Sequence, residues 1–86
     1  MRLEPLDQYA LRALNKIIGT VEGNGGARYE DVCEVFEDLE DFVEDVECGR
    51  VQNAYDDLME SVWMHKGVLR KCMGELQTLR RKLVKI

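Results

Sequence analysis

Apolar residues recur along this chain at steps of three and four, the spacing that lines up side chains on one face of an α-helix. Leu6, Ala10, Leu11, Ala13, Leu14, Ile17, Ile18 and Val21 form the first such stripe. It predicts a helix over about 7–21, with Pro5 where a helix can begin and Gly19 near its end. Tyr29, Val32, Phe36, Leu39, Val43 and Val46 form a second stripe, predicting a helix over about 29–48 with Gly49 as its stop. The third is the longest: Tyr55, Leu58, Val62, His65, Leu69, Cys72, Leu76, Leu79, Leu83 and Ile86 alternate by three and four without a slip. That continuity predicts one helix over about 51–85, with Asn53 as a candidate N-cap. The segment Glu22-Gly-Asn-Gly-Gly-Ala-Arg28 reads as a flexible loop. No Lys-Ser/Thr follows its glycines and no strand pattern precedes them, so it is not a phosphate-binding loop.

The expected fold is therefore all-α: a single domain over 1–86, a three-helix hairpin or bundle with a long coiled-coil-like C-terminal helix. Gly67 and Gly74 both fall opposite the third seam, and an interior glycine costs a helix roughly 0.5–1 kcal/mol relative to Ala. They mark either a close approach of another backbone or a bend in which His65-Lys66-Gly67 ends one helix before another begins; the unbroken seam favours the continuous helix. At 1.5 Å per residue the second helix is roughly 30 Å long and the third roughly 50 Å. Folded back as a hairpin at Gly49, the second covers the third only to about Val68. Beyond it Leu69, Cys72, Leu76, Leu79, Leu83 and Ile86 still need a cover: either the first helix, or a second copy of the chain or another protein, with His65, Leu69, Cys72, Leu76, Leu79 and Leu83 as the expected oligomer seam. An isolated core of this size is marginal, which favours a homodimer through that seam.

Composition narrows the classes. With 86 residues and 10.0 kDa there is room for one modest core and none for a separate catalytic domain. No run of residues is apolar enough for a membrane span, and the N-terminus has no signal-peptide h-region. Three cysteines, Cys33, Cys48 and Cys72, without any Cys-x-x-Cys, exclude a disulfide scaffold or zinc ribbon and suit a reducing cytoplasm. No motif implies a cofactor.

Charge is sharply divided. Residues 1–50 hold 13 acids and 5 bases, whereas residues 51–86 hold 4 acids and 7 bases, within a total of −5. The second helix carries ten acids and no base: Glu30, Asp31, Glu34, Glu37, Asp38, Glu40, Asp41, Glu44, Asp45 and Glu47. Like charges at i,i+3 and i,i+4 repel by a few tenths of a kcal/mol per pair, so this density is an unforced cost to the helix. A solvated face that keeps the protein soluble is the plain explanation. The functional one is a negative ribbon, with Glu34, Glu37, Asp38, Asp41, Glu44 and Asp45 at its centre, that docks on a basic surface of a partner protein. The acidic balance argues against direct binding of nucleic acid. In its sharpest form the ribbon imitates nucleic-acid phosphates, the logic of phage-encoded anti-restriction and anti-CRISPR inhibitors; the analogy is one of charge and size only.

Enzyme chemistry finds less support. Glu37, Glu40, Asp41 and Glu44 with Asp56, Asp57 and Glu60 have the oxygen ligands a Mg²⁺-dependent all-α nucleotide pyrophosphohydrolase needs, but most point away from the seam. No Asp-x-Asp-x-Asp-Gly run exists, which excludes an EF-hand, and the one histidine has no Glu-x-x-His partner. At a seam position His65 is expected to be a buried register-fixing residue whose protonation loosens an oligomer as the pH is lowered from about 8 to about 5.5. Trp63, Met59, Met64 and Met73 flank the seam and are expected to pack mostly against the first helix; left exposed, they form an adaptable protein-binding patch. The expectation is a non-enzymatic, self-associating interaction module.

Overall fold

A computed structural model describes residues 6–84 and places them in four α-helices: α1 Leu6–Gly23, α2 Cys33–Val46, α3 Gly49–Met64 and α4 Met73–Val84. One 3₁₀ turn, Tyr29–Asp31, leads into α2, and a second, Leu69–Cys72, runs directly into α4. The all-α class holds, with four helices in place of three. Pro5, Lys85 and Ile86 lie outside the described residues.

The three apolar stripes do form the core. Leu14, Ile17, Phe36, Leu39, Val51, Leu58, Leu69, Leu76, Leu79 and Leu83 are all sealed from solvent. The expected long helix is what fails. It stops at Met64, and the chain turns through Lys66 at φ 55° and Gly67 at φ 83°. Two successive residues in the left-handed region cannot continue a right-handed helix. The turn is closed by backbone bonds: His65 N–H donates to Ser61 O at 2.9 Å and Gly67 N–H to Val62 O at 2.8 Å. From Val62, on α3, to Leu69, beyond the turn, is one heptad, so the buried positions keep their phase although the helix does not. Two helices packed on the same core thus mimic one uninterrupted seam. The longest dimension is 41 Å, short of the expected rod.

With the rod broken, the overhang disappears. α3 and α4 fold into a helical hairpin, and α4 lies against α1. Leu69, Cys72, Leu76, Leu79 and Leu83 are between 0% and 1% exposed inside the single chain. Each buried Leu contributes roughly 1.5–3 kcal/mol that a bare overhang would forgo. The seam assigned to a second copy is the chain's own core. His65 is not in that seam either: it is exposed at the C-terminus of α3, which removes the basis for a buried histidine switch.

α2 and α3 are likewise not a tight hairpin. α1 packs most extensively on α2, while α2 and α3 meet only sparingly. Glu47, at φ 56°, makes the left-handed stop of α2, and Gly49 begins α3 rather than ending α2. Tyr9 stacks on Phe42 with ring centroids 5.6 Å apart, and Arg80 donates to Asn15 Oδ1 at 3.2 Å, fastening α2 and α4 to opposite sides of α1.

The glycine-rich segment is ordered rather than slack. Asn24 N–H donates to Thr20 O at 2.9 Å, its Oδ1 accepts from Gly26 N–H at 3.0 Å, and Ala27 is buried. This turn then pairs with the α3–α4 turn. Tyr29 N–H donates to Gly67 O at 2.9 Å and Leu69 N–H to Ala27 O at 3.4 Å, around an antiparallel bridge between Arg28 and Val68. The two helical hairpins, α1–α2 and α3–α4, are joined backbone to backbone at the same end of the molecule.

Candidate interaction surface

All ten acids from Glu30 to Glu47 are exposed, because Phe36, Leu39 and Val43 take the buried face of α2, Cys33, Val35, Phe42 and Val46 its half-buried margins, and the acids the positions left over. Glu34, Glu37, Asp38, Asp41, Glu44 and Asp45 therefore share one outward surface. Asp31 has a local task as well: its Oδ2 accepts from Arg28 N–H at 2.9 Å and fixes the entry to the 3₁₀ turn.

The sparse α2–α3 contact leaves a furrow between those helices. Glu40 and Glu44 on one side and Gln52, Tyr55 and Asp56 on the other line its middle. Tyr55 is buried, and burial first, then the neighbouring charges of Glu40, Asp56 and Glu44, push its hydroxyl well above its ordinary pKa. Tyr29 is raised for the same leading reason, helped by Cys33, Glu37 and Glu40. Both phenols therefore stand in the field of the acidic ribbon. Tyr29 is also half-buried, its ring 4.9 Å from that of Phe36.

Next to Tyr29 the surface becomes apolar. Met59, Val62, Trp63 and Met64 of α3, with Tyr29 and the Lys66–Gly67 turn, line an open recess of about 730 Å³. Trp63 is 82% exposed and Met64 66%. This corrects the expectation that they pack on the first helix; Met59 and Met73 do pack against the core. The signal was in the heptad phase, which puts Trp63 and Met64 at positions pointing away from the seam. What the sequence could not reveal is Tyr29 joining them, since that depends on where the entry turn of α2 sits against α3.

Around the start of α3 the surface is basic. Cys48 precedes α3 beside Arg50, Arg81 and Lys82. The backbone N–H of Val51, and behind it that of Arg50 and its guanidinium, hold this thiol below its ordinary range against a smaller opposing push from burial. Cys72 is the reverse case: burial pushes it up, and Ser61 Oγ donates to its Sγ at 3.4 Å.

Among the described residues no three His, Cys, Asp or Glu side chains come together to hold a metal ion, and Glu37, Glu40, Asp41, Glu44, Asp56, Asp57 and Glu60 form no such group. Nor is any helix among those residues long and apolar enough to cross a membrane. Compared with protein-family models, curated proteins and solved structures, the chain matches none.

Proposed function

We propose that this protein is a non-enzymatic helical interaction module whose acidic α2 ribbon docks on a basic surface of a partner protein. The carrying observation is that ten exposed carboxylates follow one another from Glu30 to Glu47 with no base among them. A face meant only for solubility gains from interspersed charges of both signs, which relieve i,i+4 repulsion. A single-sign face is favourable when an opposite surface neutralises it, and it speeds encounter with that surface. The earlier ground for self-association is gone, because Leu69, Cys72, Leu76, Leu79 and Leu83 are occupied within the chain. A partner surface that normally holds nucleic acid is the sharper form of the same reading, and competition by DNA or RNA identifies it.

The test is a sixfold neutralised variant, with Gln replacing Glu34, Glu37 and Glu44 and Asn replacing Asp38, Asp41 and Asp45. These sites are exposed, so circular dichroism should stay native. A lysine-rich helical peptide should bind the unaltered protein at about 50 mM salt and lose most of its affinity by about 500 mM, where screening shortens the reach of exposed charges. The neutralised variant should bind weakly at both. Equal binding by the variant refutes the reading.

A further inference from the structure

Trp63 and Met64 together make a conspicuous exception to the burial of large apolar side chains in this molecule. A Trp side chain brings roughly 150–250 Å² to an interface, and tryptophan is among the residues most enriched where binding energy concentrates. Met59 and Met64 add unbranched, polarizable side chains that adapt to a partner's shape. The recess floor is fixed rather than loose: Gly67 is held by its carbonyl's bond from Tyr29 N–H and by its own N–H to Val62 O. A rigid floor with adaptable walls suits an inserted side chain.

We infer that the recess around Trp63, together with the acidic furrow between α2 and α3, receives an amphipathic basic helix of a partner protein. This rests on the proposed docking of the acidic ribbon and adds the anchor that gives it specificity. Charge selects the occupant. Glu40, Glu44 and Asp56 line the furrow, whereas among the described residues Lys66 is the one base lining either part. Phosphates of nucleic acid and anionic lipid headgroups are repelled there, and lysine or arginine is attracted. Geometry selects a helix. Gln52, Asp56, Met59 and Trp63 recur at steps of four, three and four along α3, a stripe about 16 Å long that matches three turns of a facing helix. Apolar side chains one or two turns from basic ones on the same helix face would meet the recess and the carboxylates together, the helix-in-groove mode of recognition.

Trp63 is the only tryptophan, so its own fluorescence reports occupancy of the recess. The experiment titrates the intact protein with three synthetic helical peptides: basic and amphipathic, basic with its apolar residues changed to Ser, and amphipathic with its bases changed to Gln. Labelled-peptide anisotropy gives affinities. The amphipathic basic peptide should shift Trp63 emission to the blue and bind about tenfold or more tighter than either control. A Trp63→Ala/Met64→Ser variant, altered only at exposed positions, should lose that gain and retain native circular dichroism. If the Ser-substituted peptide binds as tightly, or the double variant binds unchanged, the recess is not an anchor and only the acidic-ribbon reading survives. If the Gln-substituted peptide binds as tightly as the basic one, the charge selection is wrong. Binding of no peptide overturns both. Sedimentation of the protein alone completes the set: a dimer abolished in the double variant means a second copy fills the recess, and the partner helix is refuted.

Discussion

Gly67 and Gly74 give opposite answers to the same substitution, and that contrast tests the turn on which the fold depends. In a continuous C-terminal helix both glycines sit on the solvent face, and alanine stabilises at either site. In the structure they differ. Gly74 is exposed within α4, and a Cβ built on it meets nothing within 4 Å. Gly74→Ala should therefore stabilise by about 0.5–1 kcal/mol, the usual entropic penalty of a helical glycine. Gly67 has φ 83° and its added Cβ would lie 3.7 Å from the Cβ and N of Tyr29, an ordinary contact. The cost of Gly67→Ala is then the left-handed backbone itself, about 1–2 kcal/mol. The two variants should differ by roughly 2 kcal/mol. With a urea slope of about 1–2 kcal/mol/M, their midpoints part by roughly 1–2 M on either side of the parent. Gly67→Asn should fall between, since Asn tolerates this region better than Ala. Urea melts followed by circular dichroism measure all three. If Gly67→Ala raises the midpoint as Gly74→Ala does, residue 67 is helical and the four-helix arrangement is wrong.

Three further outcomes follow. Leu76 is fully buried against its own chain, so Leu76→Ala should cost about 2–5 kcal/mol, and the loss should not change with protein concentration; a concentration-dependent melting temperature would restore an intermolecular seam. Cys48 should react with iodoacetamide at neutral pH before Cys33, with Cys72 protected until the protein unfolds, because α3 amides and Arg50 favour the Cys48 thiolate while burial disfavours that of Cys72; peptide mapping after timed quenching reads the order. Tyr55 and Tyr29 keep their protons in the folded state beyond the ordinary value of 10.0, so stability is full below pH 10 and declines as pH rises above it, where the unfolded phenols ionise first. Denaturant melts against pH, with tyrosinate absorbance recorded alongside, should show that decline; a Tyr55→Phe variant should flatten it.

The sequence carried the burial pattern well. Most of the described residues assigned to a stripe are in the core, with His65 the exposed exception, because apolar spacing reports which face of a helix is dry whatever that face touches. It could not say which helix covers which. The α3–α4 turn takes up one heptad, from Val62 to Leu69, so its cost to the periodic signal was zero, and only Lys66–Gly67 betrayed it. The pairing of Ala27–Tyr29 with Gly67–Leu69 was illegible for a different reason: it is made of backbone N–H and C=O groups, which every residue carries. The acidic ribbon was fully visible, since charge density on one helix needs no tertiary information. The apolar recess was half visible. Trp63 and Met64 stand at outward heptad positions, but the neighbour that helps make them a recess, Tyr29, comes from α2's entry turn, 34 residues before Trp63 in the chain.

α1 separates two helices of opposite sign. On one flank α2, its entry turn and its C-cap Glu47 hold ten acids; on the other, residues 69–84 hold five bases and one acid. A net charge of −5 thus describes an average that neither flank possesses. The molecule is a compact electric dipole about 20 Å across its short axes. At physiological ionic strength the screening length is about 8 Å, so each pole is shielded from the other and attracts its own counterpart. At low salt the poles act jointly and turn the whole molecule in the field of a charged neighbour before contact is made.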